Sequence, residues 1–92
     1  MRLHLRKFNQ LLENTEKQVL NPEEKEIIKF YLNKIAIQKV FSLEEFKEFN
    51  TLIGKVRKGL SIKEREEFDW VAPGLLSFAM ALILDEAGPL SR

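Results

Sequence analysis

The chain of 92 residues contains few of the side chains on which enzymes and metal sites depend. It has one histidine, His4, and no cysteine. With one histidine and no cysteine, the chain offers few groups for a hydrolytic triad or an imidazole-rich metal site. His4 also falls on the same predicted helical stripe as Phe8 and Leu11, which indicates a packing role. The sequence therefore predicts a protein that is not an enzyme and that has no catalytic residues, metal site or cofactor.

Carboxylates cluster between residues 64 and 69, where Glu64 and Glu67 are spaced to share one face of a helix. Such a pair could hold a hard cation. Acids also gather in the first turn of a helix because its N-terminal end is positive, and Glu23 and Glu24 do so elsewhere in the chain. The second explanation is favoured. The glycines are isolated, so the sequence has no phosphate-binding loop.

The most basic stretch lies between residues 55 and 65, with five bases and one acid. A helix end followed by a turn and a new helix start is a geometry that contacts phosphates in nucleic-acid-binding proteins. Bases at a helix C-terminus also offset the helix dipole, and no set of base-reading side chains accompanies them. Contact with an anionic partner is therefore the alternative function. We call these residues the basic corner: Lys55, Arg57, Lys58, Lys63 and Arg65.

The overall composition is that of a folded globular domain, with 45% hydrophobic and 32% charged residues. The net charge is +1, and neither half of the chain is strongly basic or acidic, which disfavours a general affinity for nucleic acid or membranes. The longest apolar run is shorter than the ~20 residues that a membrane span requires. We expect residues 1–92 to form a single domain in the cytoplasm, where the absence of cysteine fits a reducing environment.

Helix-starting signals recur along the chain, and no segment shows the alternation typical of strands. Ser42 and Ser61 are each followed three residues later by a glutamate, the spacing of a capping box. Asn21 precedes a proline and also has a glutamate at the third position. These signals predict an all-α protein, a compact bundle of four to five helices. The five helices are expected near residues 2–19, 22–40, 43–58, 62–71 and 73–87.

The last predicted helix has almost no polar face, since only Ser77, Ala81 and Asp85 interrupt its apolar residues. A helix that is apolar all round is buried all round, so we expect a mostly buried C-terminal helix, the innermost of the bundle. A chain this short has little protein with which to surround it. We therefore expect another molecule to cover part of its surface.

A second apolar stripe on the predicted second helix favours the same conclusion. The sequence thus indicates a non-enzymatic helical interaction module or small subunit that self-associates, and we expect a homodimer. Another protein remains a candidate partner. The only tryptophan, Trp70, either covers the edge of the core or anchors the partner. The residues expected at the interface are Phe30, Ile37, Phe41, Met80 and Leu84.

Two acids, Asp85 and Glu86, end the last helix, where the negative end of the helix dipole disfavours them. We expect one of them to meet a base from elsewhere, with Arg57 and Arg65 as candidates. The alternative is that the helix ends in water and the acids keep the protein soluble.

Overall fold

Four α-helices follow one another along the chain, and the computed structural model describes the backbone of residues 1–87 and the side chains of residues 1–83. This part of the chain contains no strand, so the predicted all-α bundle is confirmed. Within these residues the helices number four, the lower of the two numbers expected. They are α1 (Arg2–Asn14), α2 (Pro22–Ala36), α3 (Leu43–Lys58) and α4 (Ile62–Ala87).

Each helix runs antiparallel to the next, and α4 returns to pack against α1. Contacts between neighbouring helices show this arrangement, because the residue number rises along one helix as it falls along the other. Glu24, Tyr31 and Lys34 of α2, for example, meet Lys55, Glu48 and Glu45 of α3. Aromatic contacts agree, since Phe8 of α1 packs against Phe68 of α4 with ring centroids 6.0 Å apart. The ion pairs that join successive helices and close the bundle are Lys29–Glu13, Lys55–Glu24, Arg57–Asp69 and Lys7–Glu67.

All four helices bury their core residues at the same distance from their N-caps. Counted from each N-cap, the seventh, tenth, eleventh and fourteenth residues are buried, and the fourteenth after Met1 is Thr15, the C-cap of α1. This spacing is one apolar stripe of an amphipathic helix, and its repetition places the four stripes opposite one another. The residue types differ from helix to helix, so this shared burial pattern does not show as a repeat in the sequence. The sets are Phe8, Leu11, Leu12, Thr15; Ile28, Tyr31, Leu32, Ile35; Phe49, Leu52, Ile53, Val56; and Phe68, Val71, Ala72, Leu75.

The predicted helix starts at Ser42 and Ser61 are confirmed. The hydroxyl of Ser42 accepts a hydrogen bond from the backbone N–H of Glu45 (3.0 Å), and the Glu45 carboxylate accepts one from the Ser42 N–H (2.9 Å). Ser61 and Glu64 form the same reciprocal pair. Lys34 donates to both carboxylate oxygens of Glu45 at 2.8 and 2.9 Å. Lys34 and then the cap N–H hold the pKa of Glu45 below its usual range.

The prediction that the first helix reaches residue 19 is wrong, because α1 ends at Asn14. Thr15 adopts an extended conformation, and its hydroxyl donates to the carbonyl of Leu11 at 2.9 Å. The next N–H, that of Glu16, donates to the carbonyl of Gly59 at 3.1 Å. A contact with the distant α3–α4 connection therefore replaces the hydrogen bond that would continue the helix.

The second helix also ends earlier than predicted, at Ala36 rather than near residue 40. Gln38 takes a left-handed conformation with φ 55°. The N–H of Lys39 donates to the Lys34 carbonyl at 2.8 Å, and that of Gln38 donates to the Ile35 carbonyl at 3.2 Å. This is the Schellman pattern of helix ends, in which glycine usually occupies the left-handed position. Since no glycine stands there, the sequence pattern did not reveal the stop.

The expected fourth and fifth helices are one continuous helix that passes through Pro73. A proline inside a helix removes one hydrogen bond, here the one that Asp69 C=O would accept. Val71, Ala72 and Leu75 are buried on both sides of this position, and their packing carries the helix across it. The expected burial of the C-terminal helix as the innermost, mostly buried helix is not confirmed, because one side of α4 carries the exposed residues Trp70, Pro73 and Met80.

Candidate interaction surface

The side chains of the basic corner are used mainly within the fold. Arg57 donates two hydrogen bonds to the carboxylate of Asp69, at 2.9 and 3.1 Å. This contact holds the pKa of Asp69 below its usual range. The guanidinium of Arg65 donates to the carbonyls of Arg57 (3.0 Å) and Lys58 (3.3 Å), the last residues of α3. It thereby adds donors at the end of a helix, where carbonyl groups lack intrahelical partners, although Arg57 C=O also accepts from the Leu60 N–H at 3.2 Å.

The lysines of the basic corner differ in their surroundings. Lys55 pairs with Glu24 of α2, and that contact, followed by the cap N–H of Asn21, lowers the pKa of Glu24. Lys58 and Lys63 are exposed. Among the side chains that the structure describes, three of the five bases of this corner already contact the protein, which weakens the argument for a phosphate-binding surface.

His4 and Trp70 form a contact between α1 and α4 that the sequence did not predict. Their rings meet edge to face with centroids 5.4 Å apart. Gly74 lies beneath the imidazole, and a methyl group placed on it would be 2.8 Å from His4 Cδ2. This packing role of His4 agrees with its predicted position on the inward stripe. Trp70 is nevertheless 46% exposed, so the contact with His4 covers only part of the indole.

Phe41 cannot contact a partner as expected, because it is fully buried in the core. Its ring packs between Tyr31 and Phe49, with centroids 5.6 and 5.9 Å away. The connection between α2 and α3 folds inward at this residue. The same cluster buries the Tyr31 hydroxyl beside Glu48, to which it donates a hydrogen bond, and burial followed by this contact raises the pKa of Tyr31.

Three of the other expected interface residues are exposed, two of them on α2 and its C-cap and one on α4. Phe30 (56% exposed) lies on α2 beside Lys34, whose ammonium is 5.6 Å from its ring centroid. Ile37 (53%) caps the end of the same helix. Met80 (50%) lies on α4. Leu84, the remaining residue of this prediction, lies outside the side chains that the structure describes.

The predicted contact of Asp85 or Glu86 with a base also lies outside the described side chains. Its two candidate bases already have other partners, since Arg57 pairs with Asp69 and Arg65 contacts the end of α3. Within the described part of the chain, those bases therefore act at the α3–α4 connection.

One side of α4 forms an exposed surface without charge. The exposed residues of this helix from 70 to 83 include no acid and no base, whereas the exposed residues of α1, α2 and α3 include both. A solvent-facing helix in a protein with 32% charged residues normally carries charge on that side. We call this surface the α4 face. It consists of Trp70, Pro73, Ser77, Met80 and Ala81.

A groove of about 230 Å³ runs beside the α4 face, between α3 and α4. Its polar rim is formed by Asn50 and Asp69. Sequence patterns could not have revealed it, because it depends on how two helices 12 or more residues apart pack together. We call it the α3–α4 groove, and its apolar walls are formed by Ile53, Gly54, Phe68, Ala72, Pro73 and Leu76.

The acids between residues 64 and 69 have structural roles. Glu64 belongs to the capping box of α4, where the N–H and hydroxyl of Ser61 lower its pKa. Glu67 pairs with Lys7 at 3.3 Å. Among the residues that the structure describes, no three potential ligands are grouped to hold a metal ion. No helix in the described chain has the length and apolar character needed to cross a membrane.

Comparison with known proteins adds no functional assignment. The chain matches no protein-family model, no curated protein and no solved structure.

Proposed function

We propose that this protein is a non-enzymatic helical module that self-associates as a homodimer through the α4 face. The observation that carries the proposal is the absence of charge on an exposed helix side that includes half-exposed Trp70 and Met80. Exposed apolar surface that is continuous marks interaction sites in soluble proteins. Aromatic residues and methionine are enriched at such sites, and charged residues are depleted.

A second copy is the partner that this surface favours. Between residues 70 and 83, two α4 faces can approach each other without burying a charge or placing like charges together, and either event would oppose association. Closed two-fold dimers are also the commonest oligomers of soluble proteins. A dimer of this kind would act as a small subunit or adaptor. A cytoplasmic location is part of the proposal, supported by the absence of cysteine.

Light-scattering mass measured across concentration tests the proposal. We expect the mass to rise from that of a monomer to that of a dimer between ~1 µM and ~1 mM, a range that covers weak and moderate dimers. Met80→Glu should keep the protein monomeric, because it buries an unpaired charge in the interface. Asn33→Glu adds the same charge to the exposed side of α2 and should leave the dimer intact.

Two results would refute the proposal. If the wild-type protein stays monomeric up to ~1 mM, it does not form the homodimer over the concentrations at which weak and moderate dimers assemble. A Met80→Glu protein that dimerises as well as the Asn33→Glu control uses some other surface. If the protein instead binds nucleic acid above background at ~50 mM salt, where phosphate contacts are strongest, the alternative function through Lys58 and Lys63 gains the support that it now lacks.

A further inference from the structure

The three glycines of the described chain differ in whether the fold requires them. A methyl group on Gly59 would lie 2.6 Å from Thr15 Cγ2, and one on Gly74 would lie 2.8 Å from His4 Cδ2. Both glycines are therefore needed for contacts within the chain. A methyl group on Gly54 would meet nothing within 4 Å, and Gly54 has no positive φ. No contact inside the described chain explains this glycine.

Gly54 lowers the stability of the helix that contains it, because glycine in the interior of a helix is less favourable than alanine. It lies on the α3 wall of the α3–α4 groove. On the opposite wall stands Pro73, which also disfavours the helix and leaves the carbonyl of Asp69 without its helical donor. The groove thus combines open access to the α3 backbone with a backbone acceptor on α4.

The size of the groove indicates what it can hold. Its volume of about 230 Å³ is below the ~300–1,000 Å³ typical of pockets for small molecules and cofactors. Its apolar walls suit one large side chain. Asp69 lines the groove, and its carbonyl, which lacks a helical donor, favours an occupant that carries a hydrogen-bond donor as well as an apolar body. Tryptophan has both properties, since its indole N–H is a donor.

The chain itself supplies such a side chain on the other side of the α4 face. Trp70 is 46% exposed and contacts His4 of α1, so it lies toward α1, whereas the groove lies toward α3. If two copies are related by a two-fold axis parallel to α4, their α4 faces meet and the α1 side of each copy lies opposite the α3 side of the other. Residues that face each other are then at the same position along α4, which we call their height. The groove is lined by α4 residues from 68 to 76, which is the height of Trp70.

We propose that Trp70 of each copy inserts into the α3–α4 groove of a second copy, with both contacts made at once across a two-fold axis. This inference rests on the proposed self-association and specifies the residues that achieve it. The close approach of the partner's indole to the α3 backbone gives Gly54 its role. The Pro73 residues of the two copies then face each other between the two insertions, and Ser77 and Met80 meet their counterparts further along the axis.

The contact area sets the strength of the expected dimer. The α4 face from residue 70 to residue 83 is ~21 Å long and ~10 Å wide, and the exposed half of each indole adds ~100 Å². The total of a few hundred Å² per partner is less than the ~800 Å² of a standard stable interface. We therefore expect a weak, concentration-dependent dimer.

The experiment uses variants of the full chain and measures their mass by analytical ultracentrifugation. Gly54→Leu fills the groove, and Trp70→Ala removes the inserted side chain. Each should raise the dissociation constant of the dimer on the order of 30-fold, which is the effect expected when an interface loses a hot-spot residue. Thr51→Leu adds the same side chain to an exposed position of α3 outside the groove and should dimerise like the wild type. Circular dichroism confirms that each variant is folded.

Mixing the two disruptive variants provides the decisive measurement. The Gly54→Leu chain keeps its Trp70, and the Trp70→Ala chain keeps an open groove, so the mixed dimer retains one of the two insertions. The mixture should therefore dimerise more strongly than either variant alone. Gly54→Ala provides a further test, because it should raise the melting temperature of the monomer and at the same time weaken dimerisation.

The possible failures of the two proposals can be told apart. A wild-type protein that remains monomeric refutes self-association and this inference together. A wild-type dimer that persists in Gly54→Leu and in Trp70→Ala refutes only the inference, and Met80→Glu then tests the α4 face separately. Two monomeric variants that gain nothing on mixing also refute the reciprocal insertion.

Discussion

Gly59 is the residue at which a single added methyl group should do most damage. It caps α3 with φ −91° and ψ 8°, a conformation open to any residue, so the cost of alanine there is steric. The added carbon would lie 2.6 Å from Thr15 Cγ2, 3.2 Å from Glu16 N and 3.3 Å from Val19 Cβ. One of these atoms belongs to the backbone, and Thr15 is itself buried.

The expected loss follows from two opposing effects. Overpacking of a filled site costs ~1–3 kcal/mol, and replacing glycine restricts the unfolded chain enough to return ~0.4–1 kcal/mol. Gly59→Ala should therefore reduce the free energy of unfolding by ~1–2 kcal/mol, measured by urea titration. For a domain of this size the melting temperature should fall by roughly 5–15 °C. Gly54→Ala should instead raise the free energy of unfolding by ~0.5–1 kcal/mol.

A second substitution identifies the atom responsible. Thr15→Ser removes Cγ2, the nearest atom, but keeps the hydroxyl that bonds the Leu11 carbonyl. In the double variant with Gly59→Ala, ~1 kcal/mol of the loss should be recovered as a coupling energy. All variants are compared at concentrations where the protein is monomeric. If Gly59→Ala is as stable as the wild type, or if the two substitutions are additive, the close packing of these two connections is refuted.

Other predictions concern the helix ends and the titrating groups. Ser42→Ala and Ser61→Ala should each cost ~1 kcal/mol in urea unfolding, and a neutral result at both would contradict the capping boxes. Gln38→Gly should stabilise the protein by ~1 kcal/mol, because glycine adopts the left-handed conformation without penalty; a loss of stability would contradict the Schellman end of α2. The lowered pKa of Glu45 predicts a contribution that is complete above the unfolded pKa of ~4.3 and lost as pH falls through the folded value, so Glu45→Gln should flatten acid unfolding. The raised pKa of Tyr31 predicts stability that declines as pH rises above ~10, and a Tyr31→Phe protein with the same alkaline unfolding curve would argue against its burial beside Glu48.

The sequence determined the class of fold and the places where helices start. These properties depend on neighbours within four residues, such as the reciprocal hydrogen bonds of Ser42 with Glu45, and so they can be read from local spacing. The apolar stripes of α1 and α3 were predicted for the same reason. The sequence also indicated that the last helix has few polar residues, and the exposed, uncharged α4 face is a consequence of that composition.

Helix ends and surfaces needed the tertiary structure, because distant residues decide them. α1 stops where Glu16 donates to Gly59, a residue more than forty positions away, and α4 passes through Pro73 because core packing on both sides outweighs one missing hydrogen bond. Tertiary packing also separated the residues of the predicted interface, since Phe41 is buried in the core whereas Met80 is exposed. Local periodicity marks a residue as apolar, but only the packing of the four helices decides which apolar residues remain at the surface.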